Sequence, residues 1–335
     1  SSHFFRRRPF VRLRCGSMPP KKKPAADGEV DLFEEFKKRL KKNEQEFDAT
    51  RLPTMTEIIR RMDESGDARA WSFDIECDPM SFRAVFLSLQ QVKYLDIEAI
   101  RCWKCNGGDE SVRSVCYYLD MDPPPYVKDL QFVDNGVTAL GCEFLARTLG
   151  PMGNKMINAV TLDYNQFGTA GVEKLSLGLS QNATLRHLSL QYCNIGEDGG
   201  QYIGHILMFF RNAMEVLRLR GNYLGNTGVT DVLAGARRTK TLAEIDLYDN
   251  KFSDSPEVID AIRSLFANTP SLTVYDLSGN QISDEGASQL VQGMIGINHL
   301  SKVLVTEQVS TKTWEALEAV TSGGKGKGKK GKKKK

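Results

Sequence analysis

An eight-position pattern recurs six times between Tyr126 and Met294, and it limits the folds open to this chain more than any other feature. One copy runs Ile157, Val160, Leu162, Asn165, Phe167, Gly171, Leu175, Leu179. The next runs Leu185, Leu188, Leu190, Cys193, Ile195, Gly199, Ile203, Leu207, and the others begin at Val127, Met214, Leu242 and Leu272. The residues in the Asn position are Asn135, Asn165, Cys193, Asn222, Asn250 and Asn280, spaced 30, 28, 29, 28 and 30 apart. A period of that length accommodates one short strand and one helix per copy.

Each position has a mechanical reason. The first three apolar residues alternate as one face of a strand does. The Asn stands where the chain leaves the strand, and its amide can satisfy backbone groups of neighbouring copies. The Gly opens the return helix, where it lets the helix lie close to the strand layer. The last two apolar residues, four apart, share one helical face. A unit this small cannot bury its own apolar side, so copies must stack. The fifth copy has Pro256 in place of Gly, which a first helical turn tolerates.

The pattern L-xx-L-x-L-xx-N-x-L-xxx-G-xxx-L-xxx-L, carried by Ile157 to Leu179, resembles the ribonuclease-inhibitor class of leucine-rich repeats. That resemblance implies an α/β fold, a curved solenoid or horseshoe of strand–helix leucine-rich repeats with a parallel concave sheet and outer helices. It also implies a non-enzymatic protein-interaction scaffold. The class includes ribonuclease inhibitor, the activator of Ran GTPase, tropomodulin-like actin cappers and axonemal proteins. The Ran activator typically ends in an acidic stretch, whereas this chain ends in Lys. In its Lys-rich ends the chain is similar to flagellar axoneme proteins, which would place it in the cytoskeleton of a cilium or flagellum.

The expected organisation is a disordered basic head (1–30), a helical segment (31–70), an N-terminal cap with a degenerate repeat (71–125), the repeats (126–296), a C-terminal cap (297–322) and a disordered Lys/Gly tail (323–335). In the helical segment Leu32, Phe33, Phe36, Leu40 and Phe47 fall at near-helical spacing. The resulting helix either packs on the domain's own edge or docks another protein. Thr54 and Glu57 form a capping-box pattern before Ile58 and Ile59. Val92, Leu95 and Ile97 read as the degenerate strand, with Trp71, Phe73 and Ile75 covering the leading edge. Leu300, Val303 and Val305 read as a last strand, with a closing helix over Thr311 to Val320.

Charge separates the ends from the body. The head to Lys23 has five Arg, three Lys and no acid, and the tail after Gly324 has eight Lys and no acid. Setting aside those 16 of 45 basic residues leaves 29 against 42 acids, about −13 for residues 24–324. An acidic partner, whether tubulin tails, nucleic acid or an anionic membrane surface, is therefore expected at the tail, on Lys325, Lys327, Lys329, Lys330, Lys332 and Lys333. The alternative is a tail that only solubilises. GGKGKGKKGKKKK lacks the spacing of a phosphate loop. Ser1 to Ser17 reads as translated upstream sequence before a start at Met18, or else as a mitochondrial transit peptide.

The seven cysteines are odd in number and irregularly spaced, which fits reduced thiols in a cytoplasmic protein. Cys102 and Cys105 form a CxxC, but Cys116 and Cys142 are single, so ordinary thiols are expected and no metal or cofactor. His187, His205 and His299 read as surface residues. The strand residues facing away from the core are Gln131, Thr161, Ser189, Arg218, Asp246 and Asp276, with Asp163, Gln191, Arg220 and Tyr248 in the next column and Tyr164 and Tyr192 beyond. Tyr and Arg favour interface hot spots. The expected protein-binding set is Asp163, Tyr164, Gln191, Tyr192, Arg218, Arg220, Asp246 and Tyr248; the alternative is a plain solvated sheet face. A second functional expectation is a regulator of a GTPase or other enzyme, and a third is a tail-anchored nucleic-acid or ribosome-associated factor.

Overall fold

The computed structural model describes residues 31–306 and 309–322; the expectations for the head, Met18 and the Lys tail, Lys325 to Lys333 included, lie outside the described residues. Two helices, α1 (Leu32–Glu46) and α2 (Pro53–Ser65), precede strictly alternating strands and helices. These are β1 (Ala70–Phe73), α3 (Pro79–Gln91), β2 (Ala99–Trp103), α4 (Gly108–Leu119), β3 (Asp129–Val133), α5 (Ala139–Thr148), β4 (Ala159–Thr161), α6 (Gly168–Leu179), β5 (His187–Ser189) and α7 (Gly199–Leu207). There follow β6 (Val216–Arg218), α8 (Gly225–Ala236), β7 (Glu244–Asp246), α9 (Pro256–Asn268), β8 (Val274–Asp276), α10 (Asp284–Met294), β9 (Lys302–Leu304) and α11 (Thr311–Ser322).

The strands form one parallel sheet in sequence order, β1 to β9. Its register aligns the second template position of every copy: Leu130 with Val160, Val160 with Leu188, Leu188 with Leu217, then Ile245, Tyr275 and Val303. Strands pack about 4.8 Å apart while helices need about 10 Å, so a sheet with helices on one side only must curve with the sheet inward. The result is an open, curved solenoid whose single core runs from Phe33 to Leu317.

The Asn row sits where the sequence pattern requires. The Asn165 Oδ1 accepts from the Asn135 and Val137 amides, each at 3.0 Å, while its Nδ2 donates to Phe132 O at 2.7 Å and Leu162 O at 2.8 Å. Asn222 repeats this two turns on, accepting from the Cys193 and Ile195 amides and donating to Leu190 O and Leu219 O. Cys193 imitates only the donor half, its thiol reaching Leu162 O at 3.3 Å. One buried side chain thus stitches each repeat to the one before.

The structure corrects four local expectations. The leading repeat is regular but in another register: Ile97, Ile100, Cys102 and Cys105 fill the template, and Val92 follows a helix instead of starting a strand. The CxxC is therefore a core position plus the Asn position, with the Cys105 thiol donating to Phe73 O at 3.1 Å. The helix α2 starts at Pro53 with no side-chain cap, so Thr54 lies inside it and the capping box does not form. Trp71 and Phe73 are buried in β1, but Ile75 beyond the strand is exposed. The template Gly clears more than its own repeat's core: a Cβ on Gly171 would stand 2.4 Å from Phe167 and one on Gly199 2.3 Å from Ile195, but one on Gly228 would stand 2.6 Å from Glu197 O and one on Gly286 2.4 Å from the Asp254 carboxylate, both of the neighbouring repeat.

The helix α1 takes the first of its two expected roles. Phe33, Phe36 and Leu40 are buried, with Phe36 5.7 Å from the Trp71 ring and Phe33 5.9 Å from Tyr94. Asn43 donates to Ser88 Oγ at 2.8 Å. Its apolar face is used to cover β1 and α3 and is not free to dock a partner. At the other end β9 and α11 close the core as the sequence implies.

Candidate functional site

The concave sheet is where alternation leaves side chains facing outward, and parallel registry turns them into columns. The column Arg101, Gln131, Thr161, Ser189, Arg218, Asp246, Asp276 runs up the middle. Beside it run Trp103, Val133, Asp163, Gln191, Arg220 and Tyr248. Neighbours one repeat apart are within bonding reach, so the surface is a set of cross-strand networks.

Two networks organise it. Asp163, only 8% exposed, accepts from Ser189 Oγ at 2.7 Å, the Gln191 amide at 2.9 Å and Gln191 Nε2 at 2.8 Å. Further along, Arg220 donates from Nε to Asp246 at 3.0 Å and from Nη2 to Asp276 at 2.9 Å, and its guanidinium lies 4.4 Å from the centre of the Tyr248 ring. Burial pushes the Asp246 carboxyl above its ordinary range even with Arg220 opposing it. Burial also works against the Arg220 charge, but Asp246 and Asp276 together outweigh it and hold the guanidinium firmly protonated. Arg218 pairs with Glu244 at 3.0 Å and remains exposed. Across β3 to β6 lies a hollow of about 290 Å³ lined by Gln131, Thr161, His187, Ser189 and Arg218.

Tyrosines stand at the edge where the strands end. Tyr164 and Tyr192 stack with ring centres 4.8 Å apart and planes within 12° of parallel, and Tyr164 is 50% exposed. Both occupy the residue that turns the chain out of the strand, which takes a left-handed backbone in every repeat from Lys104 (φ 56°) through Asp134 (54°), Tyr164 (62°), Tyr192 (54°), Gly221 (69°) and Asp249 (51°) to Gly279 (73°). Gly and Asp adopt this region cheaply; a bulky aromatic does not. The two glycines also seat tyrosines of the preceding repeat, since a Cβ on Gly221 would stand 2.2 Å from the Tyr192 ring and one on Gly279 3.1 Å from Tyr248.

All eight expected residues thus lie on or beside one surface, in unequal roles. Tyr164, Gln191, Tyr192, Arg218, Arg220 and Tyr248 present atoms outward, whereas Asp163 and Asp246 spend their oxygens inside the sheet and position Gln191 and Arg220. The sequence reading missed Trp103, 41% exposed, whose indole donates to Gln131 at 3.0 Å. The Ile97-xx-Ile100-x-Cys102 register carried that signal. His187 and His205 are exposed as expected, and no group of three or more His, Cys, Asp or Glu able to hold a metal occurs among the described residues.

This fold and its columns are those of a leucine-rich-repeat protein of the ribonuclease-inhibitor-like class. The Leucine Rich repeat family model matches residues 181–204 and 269–291. The chain is 30% identical to the ribonuclease inhibitor of Sus scrofa over 169 residues, half of this chain and 36% of that protein. It is 27% identical to the Mus musculus ribonuclease inhibitor over 195 residues, 56% of this chain and 40% of that one. It is likewise 27% identical over 188 residues to the Homo sapiens NACHT, LRR and PYD domains-containing protein 14, of which it covers 17%. The chain therefore spans well under half of the length of the relatives it matches. No described helix is long and apolar enough to cross a membrane.

Proposed function

We propose that this chain is a non-enzymatic scaffold that holds a protein partner on its concave sheet, with Tyr164, Tyr192, Arg218, Arg220 and Tyr248 as the gripping residues. The observation that carries the reading is the tyrosine pair. Two adjacent repeats place an aromatic residue where the backbone is left-handed, at a cost of roughly 1 kcal/mol or more each, and stack an exposed Tyr164 on a half-buried Tyr192. The left-handed turn recurs in every repeat and other copies fill it with Gly, Asp or Lys, so the choice of an aromatic residue there is what points to a binding role. Long curved repeat sheets are also general protein-binding surfaces.

Finer proposals rest on this one. The Lys tail, Lys325 to Lys333, would bind an acidic partner such as tubulin tails or nucleic acid, and the assembly served would be a ciliary or flagellar axoneme in the cytoplasm. A second reading is favoured by the relatives named ribonuclease inhibitor: the protein held could itself be an enzyme that this chain regulates. Purification of the tagged protein from its own cell, beside a Tyr192→Ala, Arg218→Ala, Tyr248→Ala variant, tests the main proposal. A partner lost with the triple variant supports it, and an unchanged set of co-purifying proteins overturns it. Assay of any captured enzyme with and without the chain separates scaffold from regulator.

A further inference from the structure

In a parallel sheet every helix-to-strand loop falls on the same edge of the solenoid. From residue 149 to 301 these loops contain Lys155, Arg186, Arg211, Arg237, Arg238 and Lys240 against one acid, Glu215, which is paired with Arg186. The loops on the opposite edge, from 134 to 283, contain Asp134, Asp163, Glu197, Asp198, Asp249 and Asp254 against Arg220 and Lys251. Favourable ends of helix dipoles account for part of this polarity. They do not account for what stands beside the cations.

On the basic edge Met152 is 96% exposed and Phe210 86%, with Met208 and Ile295 also protruding. Met152 and Phe210 occupy equivalent places, each two residues before an anchoring Asn, in loops two residues longer than the intervening one from Leu179 to Asn182. The anchors fix both tips. Asn154 donates to Leu119 O at 2.8 Å and accepts from the Met156 amide at 2.7 Å. Asn212 donates to Ile206 O at 2.9 Å and accepts from the Met214 amide at 2.8 Å. Phe209 meets Phe210 edge-on at 5.1 Å, and the Arg211 guanidinium lies 5.7 Å from the Phe210 ring.

The three earlier loops of this edge, 66–69, 92–98 and 120–128, are acidic on balance, with Asp67, Asp96, Glu98, Asp120 and Asp122 against Arg69, Lys93 and Lys128. We infer that the stretch of the edge from residue 149 to 301 is a docking surface for an anionic lipid bilayer. The loop tips lie along one rim, as a flat partner requires. The apolar side chains project singly, which suits insertion among acyl chains, and Arg237, Arg238 and Lys240 are exposed beside them without an ion pair to match anionic headgroups. A phosphodiester backbone would answer the cations but offer nothing to Met152 or Ile295.

The test is flotation of the full chain with phosphatidylcholine vesicles, with and without phosphatidylserine, beside a Met152→Asp, Phe210→Asp variant. Binding only to the phosphatidylserine vesicles, weakened about tenfold or more in the variant, is the result expected. Because the Lys tail can also attract anionic vesicles, a Phe210→Trp variant reports insertion: brominated acyl chains should quench its fluorescence beyond that of the parent chain. Vesicle binding unchanged by the aspartates, bromine quenching of the Phe210→Trp variant no greater than that of the parent, or loss of RNA or protein binding in place of vesicle binding would each overturn the inference.

Discussion

Single residues decide whether one repeat bonds to the next. Asn222 serves four backbone groups from a fully buried position. Asn222→Ala leaves all four without it and should lower stability by about 3 kcal/mol or more in chemical denaturation. Cys193 marks the opposite case, since its thiol has no amide oxygen to offer the Asn165 and Phe167 amides. Cys193→Asn should therefore raise stability by about 1 kcal/mol, and a loss would mean that the site is too tight for the amide. The tyrosine pair separates binding from folding. Asn adopts the left-handed region readily, so Tyr164→Asn with Tyr192→Asn should keep unfolding within about 1 kcal/mol of the parent while partner capture fails. The Asn row could be read from sequence because burial and hydrogen bonding repeat with one fixed period. The strain at Tyr164 could not, since φ leaves no trace in a pattern of apolar residues.

Helices contribute contacts that bind repeats side by side. At several helix starts a side chain from the preceding repeat holds the backbone of the next. Asp109 accepts from the Thr138 amide at 2.8 Å and the Gly141 amide at 3.0 Å, and Asp254 accepts from the Ser283 amide at 3.0 Å. The Ser283 hydroxyl and amide hold the Asp254 carboxyl below its ordinary 3.8. A carboxylate of depressed pKa stabilises fully above its unfolded value, and the effect disappears as pH falls through the folded one. The stability difference between the parent and Asp254→Asn should accordingly be constant near neutrality and shrink below pH 3.8. Further back along the helices, α5 and α6 nearly touch: a Cβ on Gly178 would stand 1.9 Å from Ala146 O. Ala is the better helix former by about 1 kcal/mol, yet Gly178→Ala should destabilise by about 2 kcal/mol or more, which a denaturant melt would show by its sign. These links were not legible in sequence because the partners are some 30 residues apart and vary among Asp, Asn and Thr. The leading repeat was misplaced for a related reason, its core and Asn positions both being filled by Cys.

At the scale of the molecule, one period read from six copies extends to nine strands in a single register, with α1 and α11 closing the two ends. That leaves three different surfaces: a concave sheet carrying aromatic and ion-pair networks, an acidic edge, and a basic edge with protruding apolar tips. The sheet columns were legible from alternation alone, and so six of the eight expected binding residues do face outward. The edge charges were not, because they become a pattern only once the loops are sorted by the side of the solenoid they share. Hydrogen exchange of the chain alone and in complex with its co-purified partner addresses the central claim most directly. Protection should concentrate in the strand-exit segments around Tyr164, Tyr192 and Tyr248, with the outer helices unchanged; protection confined to those helices, with the sheet exchanging as in the free chain, would contradict it.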